Sequence, residues 1–194
     1  MSDDFDIKFE NSLNPERGKI LIAEPFLEDD YFKRSVVLLC DHNQEGSFGF
    51  VLNHYIDAEV SSLIPDFPEI DVKVSIGGPV STSNVYYIHS LGEAIEDSKE
   101  VHDGIYMGGE FAQIKEAFIL GKASSKNVRF FIGYSGWSSG QLEEEISEHA
   151  WRVAQSTHDE IMNTKIDKLW KKTMARQGEK YKMMSDFPPN FRLN

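Results

Sequence analysis

A single cysteine, Cys40, excludes an intramolecular disulfide and any zinc site built from several thiolates, so a hydrophobic core has to hold the chain together. A reducing cytoplasm is the expected compartment. Positive charge is scarce as well: 20 Lys and Arg face 32 Asp and Glu, a net charge of −12. That balance repels the phosphate backbone that supplies most nucleic-acid affinity, and direct nucleic-acid binding is not expected. The one basic cluster, running through Lys165, Lys168, Lys171, Lys172, Arg176, Lys180 and Lys182, reads as the solvated face of a C-terminal helix. Long apolar runs are missing too. None approaches the roughly 20 residues that cross a bilayer, and residues 1–6 are acidic without the apolar segment of a signal peptide, so no membrane association is expected. Nor is there a repeat, a low-complexity tract, or a pair of histidines three or four apart, the spacing that sets two metal ligands on one helix face. Neither a metal nor a cofactor is expected.

What the chain does have is an ordinary globular composition, 40% hydrophobic and 27% charged, enough for one domain with its own core. Residues 1–15, polar, acidic and aperiodic, are expected to form a flexible arm, and residues 16–194 the domain. Residues 19–23 read as a first strand, ended by Pro25. Residues 35–40 are apolar without alternation, the pattern of a strand covered on both faces, which buries the Cys40 thiol. Turn chemistry over 41–46 joins it to 47–52 as a hairpin. A short helix over 58–64, stopped by Pro65, and a strand over 72–76 make residues 47–76 readable as a strand–helix–strand unit with parallel strands. Then follow a strand over 84–90, an acidic loop over 91–103 and a short strand over 104–108. A helix over 110–120 is expected to bury Phe111, Ile114, Phe118 and Leu120. Strands over 128–134 and 150–154 come next, followed by helices over 158–163 and 166–177. The second of these helices gathers Ile166, Leu169, Trp170 and Met174 on one face.

The most unusual stretch is Gly133-Tyr-Ser-Gly-Trp-Ser-Ser-Gly-Gln-Leu-Glu-Glu-Glu-Ile146, which reads as a strand running through a glycine-rich turn into an acidic helix. Ser138 and Gln141 have the spacing of a capping box, in which each side chain satisfies a backbone N–H that the new helix leaves open. Glu143, Glu144 and Glu145 then occupy the first turns, where the helix dipole favours carboxylates.

Five separated motifs give the chain a resemblance to a known family. They are Gly18-Lys-Ile-Leu-Ile-Ala-Glu-Pro25 with Asp30-Tyr-Phe-Lys-Arg-Ser-Val-Val37, Gly46-Ser-Phe-Gly-Phe-Val-Leu-Asn53, Gly77-Gly-Pro-Val80, His89, and Gly133 through Glu143. In this order they resemble the AlgH/YqgE family of uncharacterised bacterial proteins, from about residue 17 to the end. The resemblance implies an α+β fold: one compact domain with a branched, mostly antiparallel to mixed sheet that includes a small barrel and is wrapped by helices. It implies no established activity or cofactor, although some members are labelled transcriptional regulators. His54-Tyr55 departs from the family pattern, which often has a basic residue and proline there.

The chemistry these motifs offer is limited. The stretch from Gly133 to Trp137 is close to the Gly-x-Ser-x-Gly elbow of α/β-hydrolases, but Trp137 stands where the sharp turn requires glycine. Only the glutamates of the acidic helix lie between Ser135 and the histidines that follow it. Backbone N–H groups at the helix start can cradle an anion, yet the three glutamates oppose a highly charged one. Glu116 and Ala123 break the phosphate-loop pattern around Gly121-Lys122. Strand ends at Asn53, Gly77 and the glycine-rich stretch are expected to meet at one edge, as ligand clefts do in open α/β sheets. That cleft would be lined by Asn53, Gly78, Pro79, His89, Tyr134, Ser135, Gly136, Trp137 and Gln141, with aromatic contact from Tyr134 and Trp137 and hydrogen bonds from Asn53, His89 and Gln141. The expected function is non-catalytic: regulatory binding of a small ligand or a protein partner. The alternative is a hydrolase using Ser135 or His89 in the same cleft.

Overall fold

The computed structural model describes residues 11–166 and 168–188. Its strands are β1 (Ile20–Ala23), β2 (Val36–Asn43), β3 (Gly46–Val51), β4 (Tyr55–Glu59), β5 (Lys73–Ile76), β6 (Val80–His89), β7 (Lys99–His102), β8 (Ile105–Met107), β9 (Val128–Ser138) and β10 (Trp151–Ala154). The helices are α1 (Val60–Leu63), α2 (Phe111–Ile119), α3 (Gln141–Ser147), α4 (His158–Met162), α5 (Leu169–Ala175) and α6 (Glu179–Asp186).

The strands form one sheet in the order β10-β1-β2-β3-β9-β6-β8-β7, with β5 branching from β9 and β4 pairing with β5. Strand β9 is the trunk. Along one edge it pairs with β6 from Val128 to Tyr134. The other edge is shared: β5 takes Phe130, Phe131 and Ile132 in parallel, and β3 takes residues Ser135 to Ser138 antiparallel. The α+β class and the branched sheet are therefore as the resemblance implied, but the sheet is not closed into a barrel. Its path ends open at β10 and β7, because β3 and β5 follow one another along β9 instead of curling round to a common partner.

That arrangement also corrects the parallel strand–helix–strand unit expected over 47–76. Strands β3 and β5 run in opposite directions and meet end to end, where the Val51 N–H donates to the Gly77 carbonyl at 2.8 Å. Between them β4 was not anticipated; it alternates half-buried and exposed residues and exists by pairing with β5. The glycine-rich segment is likewise a strand where a turn was expected. Backbone pairing carries β9 to Ser138, and the reversal is confined to Ser139-Gly140, with Gly140 at φ +76° capping α3.

Core packing follows from the alternation of side chains across the pleat. Ile20, Ile22, Val36 and Leu38 face one side, where Met162, Leu169, Trp170, Met174, Tyr181 and Met184 of the C-terminal helices cover them. Leu21, Ala23, Val37 and Leu39 face the other, against Trp137, Leu142 and Trp151. A third cluster around Phe130 holds Phe67, Val74, Ile114 and Phe118 beneath α2. Helix α2 buries Ile114, Ala117 and Phe118, the i, i+3, i+4 stripe, whereas Leu120 stands 58% exposed past its last turn. Of the arm expected over 1–15, residues 1–10 lie outside the described residues. Asn11 is docked on β10: its amide donates to the Trp151 carbonyl at 2.9 Å and accepts from the Val153 N–H at 2.7 Å.

Candidate functional site

Of the strand ends singled out in the sequence, those at Gly77 and in the glycine-rich stretch meet, on a packed junction. The Gly77 N–H donates to the Ile132 carbonyl at 2.8 Å, and the Gly77 carbonyl accepts from both Val51 N–H (2.8 Å) and the Ser135 hydroxyl (3.0 Å). One oxygen thus joins β3, β5 and β9. A Cβ on Gly78 would lie 1.9 Å from the carbonyl group of Tyr134, so the two backbones touch with no room for a side chain. A Cβ on Gly133, at φ +65°, would lie 2.5 Å from the Gly78 carbonyl oxygen. Glycines here allow three strands to meet, and Ser135 is fully buried beneath them.

The other sequence-predicted residues disperse from this junction. His89 ends β6 opposite Val128, seven residues along β9 from Ser135, or about 23 Å at strand rise. It is fully buried: Leu91 N–H donates to Nδ1 (3.3 Å), which leaves Nε2 protonated and donating to the Gly108 carbonyl (3.2 Å). Burial holds its pKa below the usual histidine value, opposed by the Gly108 hydrogen bond. Trp137 packs under α3 against Trp151, and both indole N–H groups donate to the same Glu145 oxygen, at 2.8 and 2.7 Å. Gln141 accepts from Ser138 N–H and donates to Glu145, but Ser138 ends β9 and Gly140 is the N-cap of α3, so the expected capping box does not form. Pro79 is exposed at the rim of the junction. Tyr134, Gly136 and Trp137 reach an open groove of about 430 Å³ bordered by Asp41, Glu45, Phe48 and Val80. Asn53 lies elsewhere, its amide spanning the Val36 N–H and the Arg34 carbonyl.

Asn53 borders a larger cavity, about 690 Å³, between the sheet and the C-terminal helices. Arg34 and Tyr55 form the sheet side; residues 164–166 and 168–171 and the end of α6 form the other. The Arg34 guanidinium carbon sits 4.7 Å from the centre of the Trp170 ring, and one of its nitrogens donates to the Phe187 carbonyl. Desolvation lowers the Arg34 pKa from its ordinary value. Behind the wall, Arg129 is 1% exposed and donates to the carbonyls of Leu52 (2.8 Å) and Ile161 and to the Ser75 hydroxyl (3.1 Å). Its guanidinium carbon lies 5.9 Å from the Tyr55 ring centre. Burial lowers its pKa too, with the Tyr55 hydroxyl opposing the shift. Among the described residues no cluster of His, Cys, Asp or Glu is placed to hold a metal, and no helix is long and apolar enough to cross a membrane.

A model of the family described as AlgH-like matches residues 20–182. The chain belongs to the AlgH-like family. A UPF0301 protein of Parabacteroides distasonis is 41% identical over 186 residues, covering 95% of this chain and 94% of its own. A UPF0301 protein of Chlorobaculum parvum is 37% identical over 171 residues, 88% and 91% of the two chains. A crystal structure of a Corynebacterium diphtheriae protein superposes with a TM-score of 0.78 at 26% identity, over 92% of this chain and 95% of that one. The solution structure of the AlgH protein from Pseudomonas aeruginosa, at a TM-score of 0.71 and 24% identity, shares the fold over 92% and 98% of the two chains.

In this AlgH-like chain the motif residues therefore build the sheet junction, and the cavity of about 690 Å³ lies away from all of them except Asn53. Sequence reasoning missed the cavity because its walls come from residues as distant as Arg34 and Phe187. The signal available was the basic cluster at Lys165, Lys168 and Lys171, which read as a solvated helix face.

Proposed function

We propose that this protein works by binding rather than by catalysis, taking a small ligand in the cavity between the sheet and the C-terminal helices and acting through that occupancy in a regulatory capacity. The observation that carries the reading is the environment of Ser135: fully buried, committed to the Gly77 carbonyl at 3.0 Å and some seven residues of strand away from His89. A serine nucleophile needs substrate access and a base within hydrogen-bond reach; Ser135 is fully buried, and among the described residues no base lies within reach of its hydroxyl. The cavity, at about 690 Å³, is of the size that takes small molecules. Its walls come from both the sheet and the C-terminal helices, so a ligand touching both stabilises their association by mass action, which is how occupancy would be communicated. A net charge of −12 favours regulation through a ligand or a protein over direct contact with DNA.

The test is a thermal-shift screen of the purified protein against a broad set of metabolites. The expected result is a stabilising compound whose effect survives Ser135→Ala and disappears in Thr164→Trp, which fills the cavity from its wall. A turnover abolished by Ser135→Ala in a variant that melts like the parent would overturn the reading in favour of a hydrolase.

A further inference from the structure

We infer that the cavity between the sheet and the C-terminal helices is a site for a small multivalent anion, an organic phosphate or polycarboxylate, held by Arg34, Lys165 and Lys168. The inference rests on the reading of this chain as a binding protein and names the ligand class of that cavity.

Charge is the first argument. In a chain with an excess of 12 negative charges, the described wall of this cavity carries Arg34, Lys165, Lys168 and Lys171 against one carboxylate, Asp186. Asp186 is already paired with Lys171 at 2.5 Å. Among the described residues the other three cations have no carboxylate partner. Like charges gathered around a concavity repel one another and focus a positive potential into it, an arrangement relieved by an anion.

Arg34 is built into the fold rather than draped on it. Its backbone is left-handed, φ +54°, and its guanidinium is stacked on Trp170 and anchored to the Phe187 carbonyl. Its Nε is buried without a hydrogen-bond partner among the described residues. A planar guanidinium held in one orientation suits carboxylate or phosphate oxygens, which it meets with little entropy left to lose.

Arg129 adds to the field from behind. Its side chain is 1% exposed and its described hydrogen-bond partners are two carbonyls and a hydroxyl, with no carboxylate among them. A buried charge so placed is poorly screened and acts on the cavity through the wall at Leu52, Asn53 and Tyr55. Three cations with no carboxylate partner among the described residues, and a fourth behind them, exceed what a monoanion neutralises. A concavity of about 690 Å³ suits a small molecule and not the convex backbone of a duplex.

The experiment measures melting temperature and binding isotherms of the full chain with pyrophosphate, citrate and glucose 6-phosphate, with glucose as the uncharged counterpart of the last. At least one of the three anions is expected to bind saturably, raising the melting temperature by about 5 °C or more at a hundredfold excess over Kd, while glucose has no effect. The exposed double variant Lys165→Glu/Lys168→Glu is expected to weaken binding about tenfold or more and to fold normally; Lys99→Glu/Lys122→Glu, of equal charge change on distant surface, is expected to bind like the parent. No saturable binding of any of the three up to about 10 mM overturns the anion site, as does a response unchanged in Lys165→Glu/Lys168→Glu. A stabiliser found only among neutral or cationic compounds, and lost in Thr164→Trp, overturns the ligand class and leaves the binding reading standing. Serine-dependent turnover overturns the binding reading itself.

Discussion

Replacing Gly78 by alanine tests whether the glycine-rich motifs are there for close backbone approach. Gly78 does not have a positive φ, so the substitution probes space alone. The added Cβ would lie 1.9 Å from the Tyr134 carbonyl group and 2.2 Å from the Ser135 nitrogen, where ordinary contact begins near 3.4 Å. The strands must therefore separate by about 1.5 Å, the difference between 3.4 and 1.9 Å. That movement breaks the Gly77 N–H bond to Ile132 and the Ser135 bond to Gly77, and it strains the Val51 bond to Gly77. Two or three hydrogen bonds at about 1 kcal/mol each, with overpacking added, come to about 3–5 kcal/mol. For a chain of this size the melting temperature should fall by roughly 6–20 °C. Gly104→Ala is the comparison: its φ is +69° and nothing lies within 4 Å of the new Cβ, so only backbone strain of about 1 kcal/mol is expected. Scanning calorimetry of both variants decides the matter. A Gly78→Ala protein no less stable than Gly104→Ala would refute the junction as described.

Arg129→Met should cost about 3–5 kcal/mol, read as a lower urea midpoint, because the carbonyls of Leu52 and Ile161 stay buried and lose their donor; an unchanged midpoint would contradict the assigned role. Ser135→Ala should cost only about 1 kcal/mol, since Val51 still satisfies the Gly77 carbonyl, and should leave ligand affinity untouched in calorimetric titration. Burial pushes the Glu24 carboxyl from 4.5 up to about 7, against the Phe26 N–H that favours its ionised form. Between those values the folded state holds the proton more tightly than the unfolded, so this group's contribution to stability declines as pH rises from about 4.5 to about 7. Glu24→Gln removes that decline, and its melting temperature relative to the parent should climb across the same interval; a flat difference would sink the assignment.

Much of the framework was legible in local pattern. The apolar runs at 20–23 and 36–40 are strands with both faces covered, and alternation alone sorts their side chains into two cores. Elements fixed by long-range pairing were not legible. Strand β7, polar and mostly exposed, exists because β8 pairs with it, and the glycine-rich end of β9 is extended because β3 holds it, despite glycine's poor strand propensity. Helix α6 was passed over; it buries Tyr181, Met184 and Ser185 against the C-terminal core. Arg129 sits in Val128-Arg-Phe-Phe131, where nothing local says that its charge is buried. The backbone of Gly78 abuts that of Tyr134 where a cleft was expected, because adjacent glycines that admit a ligand and glycines that admit another backbone look the same in sequence.

The most direct test is to label the backbone with nitrogen-15, titrate in the strongest stabiliser from the thermal screen, and follow the amide shifts. The account predicts saturating changes at Asn53, Tyr55, Lys168, Lys171 and Phe187 with Tyr134, Ser135 and Gly136 unmoved. Changes concentrated at Tyr134, Ser135 and Gly136, with the cavity walls silent, would contradict it.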